Sequence, residues 1–191
     1  MAMPYTIPLQ LKGPFTVADF QRMDELGLLP EDGRMELLDG MVVEMSPIGP
    51  RHAGCVNRLN QLLARAGAGQ VTLGVQNPAV LDDRSQPQPD VTVLRYRRDG
   101  YATAHPGPDD VLLLIEVMDS SADRDRRIKV PLYARAGIRE LWLVDLDADD
   151  IEVHREPGPN GYASVRWVAR GDRLTPLLLE TATLSGSDIL G

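Results

Sequence analysis

At 191 residues the chain is sized for one domain with its own core, and 43% apolar against 25% charged residues excludes a wholly disordered chain. Twenty basic against twenty-eight acidic residues give a net charge of −8, which excludes tight nucleic-acid binding by overall charge alone, though a local basic patch or a bound cation would offset it. The single cysteine, Cys55, excludes an intrachain disulfide and a cysteine zinc cluster, and neither a signal-peptide pattern nor an apolar run near the ~20 residues of a membrane span is present, so a cytoplasmic protein without membrane contact is expected.

Residues 1–14, with Pro4, Pro8 and Pro14, read as an extended N-terminal arm, and 15–191 as a single domain. Thr16 is a plausible N-cap for a helix over 17–28, with Pro30 beyond its end. Met35–Leu38 and Met41–Met45 flank Asp39-Gly40, the dipeptide that supplies the positive φ values of a type I′ hairpin. Pro50 opens a second helix to about Ala66, with Val56, Leu59, Leu63 and Ala66 at helical spacing and Gly67 at its end. Short strands follow at Val71–Val75, Ala79–Leu81 and Asp90–Leu94.

Val111–Met118 is the most continuous apolar run and fits a strand buried on both faces. Ser120 and Ser121 can cap a third helix over 122–136, closed by Gly137. Strands are then expected at Glu140–Val144, Ile151–His154 and Tyr162–Ala169, with Pro157–Gly161 as the last turn. This order predicts an α/β class fold, a mixed central sheet with flanking helices.

Three acids stand where acids are costly. Asp90 begins a strand, Glu116 interrupts the most apolar strand, and Glu36 sits in the first arm of the hairpin. A buried carboxylate needs a partner, a proton or a metal, and two that converge from neighbouring strands form a suitable oxygen cage for Mg²⁺ or Mn²⁺. Of the twenty basic residues only Lys12 and Lys129 are lysine. At about 100° per residue, Lys129 shares the apolar stripe of Leu132, Tyr133 and Ala136, whereas Arg124, Arg127 and Arg135 point away from it. Asp125 lies on the same face one turn earlier, so an Asp125–Lys129 helix ion pair is the plain alternative to a site lysine.

Gly33-Arg34-Met35-Glu36-Leu37-Leu38-Asp39-Gly40, then Pro89-Asp90-Val91, then Leu114-Ile115-Glu116-Val117-Met118-Asp119-Ser120-Ser121, then Lys129 with Tyr133-Ala134-Arg135-Ala136-Gly137-Ile138-Arg139-Glu140-Leu141-Trp142-Leu143-Val144-Asp145, stand in one order over roughly residues 15–185. Together they resemble the Uma-type restriction endonucleases, a bacterial branch of the PD-(D/E)xK nuclease superfamily. The resemblance implies a restriction-endonuclease-like fold and a Mg²⁺- or Mn²⁺-dependent endonuclease acting on DNA, commonly as a homodimer. Asp90, Glu116 and the carbonyl of Val117 would bind the ion, which would activate a water and stabilise charge on the phosphate. Lys129 would orient that water, and Glu36 would hold a water or a second ion. The superfamily lysine normally stands two residues after the glutamate. That place is Met118 here, so Lys129 would have to reach the site from the following helix.

Other candidates read more plainly. His52, at the start of the second helix where this family often has a histidine, is expected exposed or capping, and His105 and His154 structural or solvated. Cys55 reads as a small buried residue, Asp145–Asp150 as a solvated acidic turn, and Arg95, Arg97 and Arg98 as a solvated loop edge. Trp142 and Trp167 read as core or interface residues, and the tail through Leu177–Leu179 and Ile189–Leu190 as buried, with a two-fold interface one place for it. The acidic balance and displaced lysine also allow a non-catalytic nuclease-fold module that binds a partner protein or nucleic acid.

Overall fold

A computed structural model describes residues 10–30, 34–119, 122–179 and 182–191, with backbone alone at 10–12 and 122–125. Most of the extended arm, the Ser120/Ser121 cap and the Asp125–Lys129 ion pair lie outside the described residues. β1 (Gln10–Lys12) precedes α1 (Val17–Glu25), which opens on a capping box: the Asp19 amide donates to the Thr16 hydroxyl and the Thr16 amide to the Asp19 carboxylate. The helix ends three residues before the expected 28, where Gly27 takes a φ of 65°.

β2 (Met35–Leu38) and β3 (Met41–Glu44) form the expected hairpin, with φ values of 50° at Asp39 and 78° at Gly40. β1 adds to the far edge of β3, completing a three-stranded antiparallel sheet. Alternation along β2 divides its work. Met35 and Leu37 pack with Val17 and Phe20 of α1, while Leu38 packs toward the main body of the protein, so Glu36 shares that inward direction.

α2 (Pro50–Gly67) runs one residue further than expected, and Ala68, rather than a glycine, takes the left-handed turn after it at φ 45°. Gly67 serves packing instead: a Cβ there would fall 2.4 Å from a methyl of Val71. The central sheet follows as β4 (Val71–Val75), β5 (Val91–Arg95), β6 (Val111–Met118), β7 (Glu140–Asp145), β8 (Asp150–Gly158) and β9 (Gly161–Ala169), hydrogen-bonded in that order. β6 and β7 are parallel, joined across one face by α3 (Ala122–Arg135); every other neighbour is antiparallel.

β6 explains the layering. Leu113, Ile115 and Val117 pack against Cys55, Val56, Leu59 and Leu63 of α2, while Leu114 and Met118 pack against Leu132 and Tyr133 of α3. Glu116 therefore points to the α3 side, between two apolar residues of its own face.

Residues 79–81 do not form the expected strand. Pro78 precedes them, and their amides donate to the carbonyls of Pro87, Pro106 and Ser85, split between two stretches of chain rather than forming one ladder. β8 extends to Gly158, so the last hairpin turns at Pro159-Asn160. The tail forms β10 (Arg173–Leu174), β11 (Leu184–Ser185) and α4 (Gly186–Leu190). Ile189 and Leu190 are buried in the α2-side core of their own chain, where the Arg58 guanidinium binds both of their carbonyls, while Leu177 remains exposed.

Candidate active site

The strand ends that meet beneath α3 carry the acids. Glu36 comes from β2, Asp90 from the residue before β5, and Glu116 from β6; all three are buried. α3 lays Lys129 across them, with Nζ 3.0 Å from Glu36 Oε1 and 3.2 Å from Glu116 Oε1. Met118, two residues after the glutamate, packs under α3, while the helix brings an amine to Glu116 from above. Tyr133, one helical turn beyond Lys129, donates its hydroxyl to Glu116 Oε1 at 2.5 Å.

Asp90 is held from three sides. Its Oδ2 accepts from the Val117 amide at 2.9 Å and faces His52 Nε2 at 3.0 Å, and its Oδ1 accepts from the Gln76 side chain at 3.1 Å. Its own amide lies 3.4 Å from Glu116 Oε2. Glu36 Oε1 also accepts from the Gln88 amide at 2.8 Å.

Electrostatics separates the two central acids. Burial is the largest influence on Asp90 and pushes its carboxyl up. The bonds from His52, Val117 and Gln76 outweigh it, so the group stays below the ordinary carboxylate range. Burial also pushes Glu116 up; Lys129 pulls it down, the charges of Asp90 and Glu36 push it up again, and Tyr133 pulls it down, leaving it at about 7. For His52, burial works downward, but Asp90, Glu116 and Asp119 together hold the imidazole above its ordinary value. Tyr133 is kept a phenol, by burial first and then by the charges of Glu116 and Glu36.

Glu36, His52, Asp90, Glu116 and Lys129 line a cleft of about 230 Å³, whose walls also come from β2, the 45–49 segment, the start of α2 and α3. Asp119, Glu44 and Arg34 reach the same cleft. The structure thus brings together Asp90, Glu116, Lys129 and Glu36, with Val117 presenting its amide to Asp90.

Sequence reasoning missed Tyr133, Gln76 and the inward role of His52, which is neither exposed nor merely capping. Tyr133 carried a usable signal, since it shares a helix face with Lys129 at i+4. Asp145 departs from the solvated-turn expectation, being buried and accepting from the Asp147 and Ala148 amides and from Arg126. Cys55 and Trp142 are buried as expected, whereas Trp167 is exposed. Arg97 bonds Asp99 and lies over the Tyr101 ring. Among the described residues no helix is long and apolar enough to cross a membrane.

The family profile described as "Uma2: Putative restriction endonuclease" matches residues 17–185. No curated protein matches the chain. A crystal structure titled "a putative nuclease belonging to DUF820 from Anabaena variabilis" superposes with a TM-score of 0.70 at 17% identity, over 88% of this chain and 96% of that one. At that identity the likeness shows a shared fold, a mixed sheet with flanking helices. With the profile spanning nearly the whole length, the chain belongs to the Uma2 family.

Proposed function

We propose that the protein is a divalent-metal-dependent endonuclease that hydrolyses phosphodiester bonds of DNA, with Asp90, Glu116 and Lys129 as its reacting set and Glu36 in support. The observation that carries this reading is one lysine amine shared by the buried carboxylates of Glu36 and Glu116, with the buried Asp90 carboxylate beside Glu116, at the wall of an open cleft.

The donor chemistry fits Mg²⁺ or Mn²⁺. Asp90 and Glu116 offer hard oxygens, and burial, with the charges of Asp90 and Glu36 added, pushes Glu116 up to about 7, which a bound cation would offset. The Val117 amide is directed at Asp90. In a strand the N–H and C=O of one residue leave the same edge, so the Val117 carbonyl is the third oxygen on that side. Among the described residues no three His, Cys, Asp or Glu side chains form a ligand cluster by themselves. Two carboxylates and a carbonyl leave the remaining positions to water and phosphate oxygens, the usual manner of holding Mg²⁺. A cation so held would polarise the scissile phosphate as a Lewis acid.

The chain's own groups do the rest. Lys129, fixed by Glu36, points its ammonium at the carboxylates where it orients the attacking water and offsets charge building on the phosphate. Tyr133 holds Glu116 Oε1 and so leaves Oε2 turned toward Asp90. His52 and Gln76 fix the Asp90 carboxylate and favour its ionised form. Glu36 acts through Lys129 and is a positioning residue. A homodimer is part of the proposal, because two copies would let one assembly cut both strands.

The test is plasmid nicking at low salt with Mn²⁺, Mg²⁺ or EDTA, comparing the wild type with Asp90→Asn and Lys129→Ala. Low salt matters because a net charge of −8 opposes encounter with DNA. Metal-dependent cutting lost in both variants is expected. Loss only with Asp90→Asn would demote Lys129 to a structural ion pair. No cutting and no Mn²⁺ uptake would overturn the enzyme and favour a nuclease-fold binding module.

A further inference from the structure

The cleft shares a wall with a second, larger opening. A groove of about 1090 Å³ runs between α1 and the 101–105 segment, and among the described residues Arg34 is the charged side chain that lines both it and the cleft. Arg34 directly precedes β2, and its carbonyl accepts from the Met45 amide at 2.8 Å, which extends the β2–β3 ladder by one pair. Its backbone is therefore fixed by the sheet.

Strand alternation fixes the direction of its side chain. Arg34, Glu36 and Leu38 fall on one face of the strand, and all three line the cleft. Two residues of strand place Arg34 about 7 Å from Glu36. That separation is on the scale of neighbouring phosphates along one nucleic-acid strand.

Turning toward an anion would give the Arg34 guanidinium a partner that one of its nitrogens lacks. Arg34 Nη2 is enclosed by protein and has no hydrogen-bond partner, an unusual state for a charged donor. Lys129 is already shared between Glu36 and Glu116, and His52 is engaged by Asp90. Among the described residues, Arg34 is the one cation lining the cleft that no carboxylate holds, whereas His52, with only its Nδ1 unbonded, is anchored by Asp90.

Beyond Arg34 the groove wall changes character. Gln88, Gln86 and Gln21 present amides there, with Gln21 Nε2 donating to Gln86 Oε1 at 2.9 Å, and Asp24 and Glu25 of α1 stand at the groove as well. Amides suit base edges or sugars, while the acids disfavour further phosphates.

We infer that Arg34 clamps the phosphate next to the scissile one, where a DNA strand passes from the cleft into the groove between α1 and the 101–105 segment. This rests on the nuclease reading and adds a substrate contact and a direction for the strand. A planar guanidinium can grip two phosphate oxygens at once, which an ammonium cannot.

The test is fluorescence anisotropy of a fluorescein-labelled DNA oligonucleotide, single-stranded and duplex, titrated at several salt concentrations in EDTA. The proteins are Asp90→Asn alone and Asp90→Asn combined with Arg34→Gln or Arg34→Lys, each checked for an unchanged melting profile. One lost phosphate contact should weaken binding about tenfold at low salt. It should also flatten the slope of log K against log salt by about 0.7 for single strands or about 0.9 for duplex. Arg34→Lys should restore the slope and only part of the affinity.

Identical affinity and slope in Arg34→Gln would overturn the clamp. Failure of every protein to bind the oligonucleotide, while the wild type still cuts plasmid, overturns the clamp and leaves the nuclease standing. Neither binding nor cutting overturns both.

Discussion

Two buried charge clusters sit on the same face of the central sheet, and α3 supplies the cation to both. In one, Lys129 meets Glu36 and Glu116, with Asp90 beside them. In the other, Arg126 bonds Asp145 at 3.2 Å and Glu152 at 2.6 Å, and His154 Nε2 lies 2.9 Å from Glu152 Oε2. Both have buried acids, one long cation and a neighbouring histidine. They differ in how well the negative charge is answered.

Glu152 is held below its ordinary range, by His154 first and then by Arg126, despite its burial. Asp145 gains two backbone amides. Glu116, by contrast, has a lysine shared with another acid, and burial drives it up to about 7. The first cluster is short of positive charge and opens on a cleft, whereas the second is answered from within. Burial alone would not have told them apart; charge balance does.

Several substitutions would break or sharpen this contrast. The largest effect is expected for Asp90→Asn, which should lower metal-dependent cutting on the order of 10³-fold or more, measured by plasmid nicking. Lys129→Ala follows, with a loss of roughly 10²- to 10³-fold in cutting. It should also lower stability by about 3–5 kcal/mol in denaturant melts, since two buried acids lose their shared partner.

Third, the metal-free protein should lose stability as pH rises. The folded value of Glu116 lies above its unfolded value near 4.5, so its contribution is whole below pH 4.5 and gone above about 7. At about 1.36 kcal/mol per unit this is of order 3 kcal/mol. His52, also raised, adds to the same trend, and Asp90, lowered, costs stability only in acid, as pH falls through its depressed value. Thermal melts in EDTA from pH 5 to 8.5 check the trend, which Glu116→Gln should flatten. A melting point that climbs from pH 6 to 8 would contradict the account of Glu116.

Arg126→Ala should give the opposite separation of effects. We expect a stability loss of about 1–3 kcal/mol, reduced by the partial exposure of the guanidinium, with cutting within a few-fold of wild type. A collapse of activity in a well-folded Arg126→Ala protein would erase the distinction between the clusters. Smallest is Tyr133→Phe, costing about 1 kcal/mol in stability. Because the hydroxyl supports the charged form of Glu116, its loss should move the midpoint of the pH–rate profile upward.

The part of the site that could be read from sequence is the part whose anomaly is local. An acid inside an apolar strand, as at Glu116, and a lysine on an apolar helix stripe, as at Lys129, conflict with their own neighbours and so stand out. The Asp39-Gly40 hairpin was legible for the same reason, because its φ values are demanded by two adjacent residues. Tyr133 raised no such conflict, since an aromatic on an inward stripe is what a core would use. His52 and Gln76 gain meaning only through Asp90, which is 38 and 14 residues away. Residues 79–81 show the converse: an apolar triplet that looked like a strand is pinned by two separate loops. The second cluster was hidden because Arg126 and its acids are paired across three elements, α3, β7 and β8, leaving no local imbalance to notice.

The sheet order also bears on how the molecule comes into being. All five of its strand pairings join consecutive strands, four of them antiparallel and without the α3 crossover, so β4 to β6 and β7 to β9 can each assemble through local closures. The Glu36–Lys129 contact spans 93 residues and must wait for the hairpin, the sheet and α3 to exist. Long closures carry the greater entropic cost and tend to form late. A chain still in the course of folding would then hold its sheet before its reacting groups, so that cutting power arrives last, after the scaffold that confines it. In stopped-flow refolding, burial of Trp142 in the sheet core should precede recovery of nicking activity, and simultaneous recovery would refute this order.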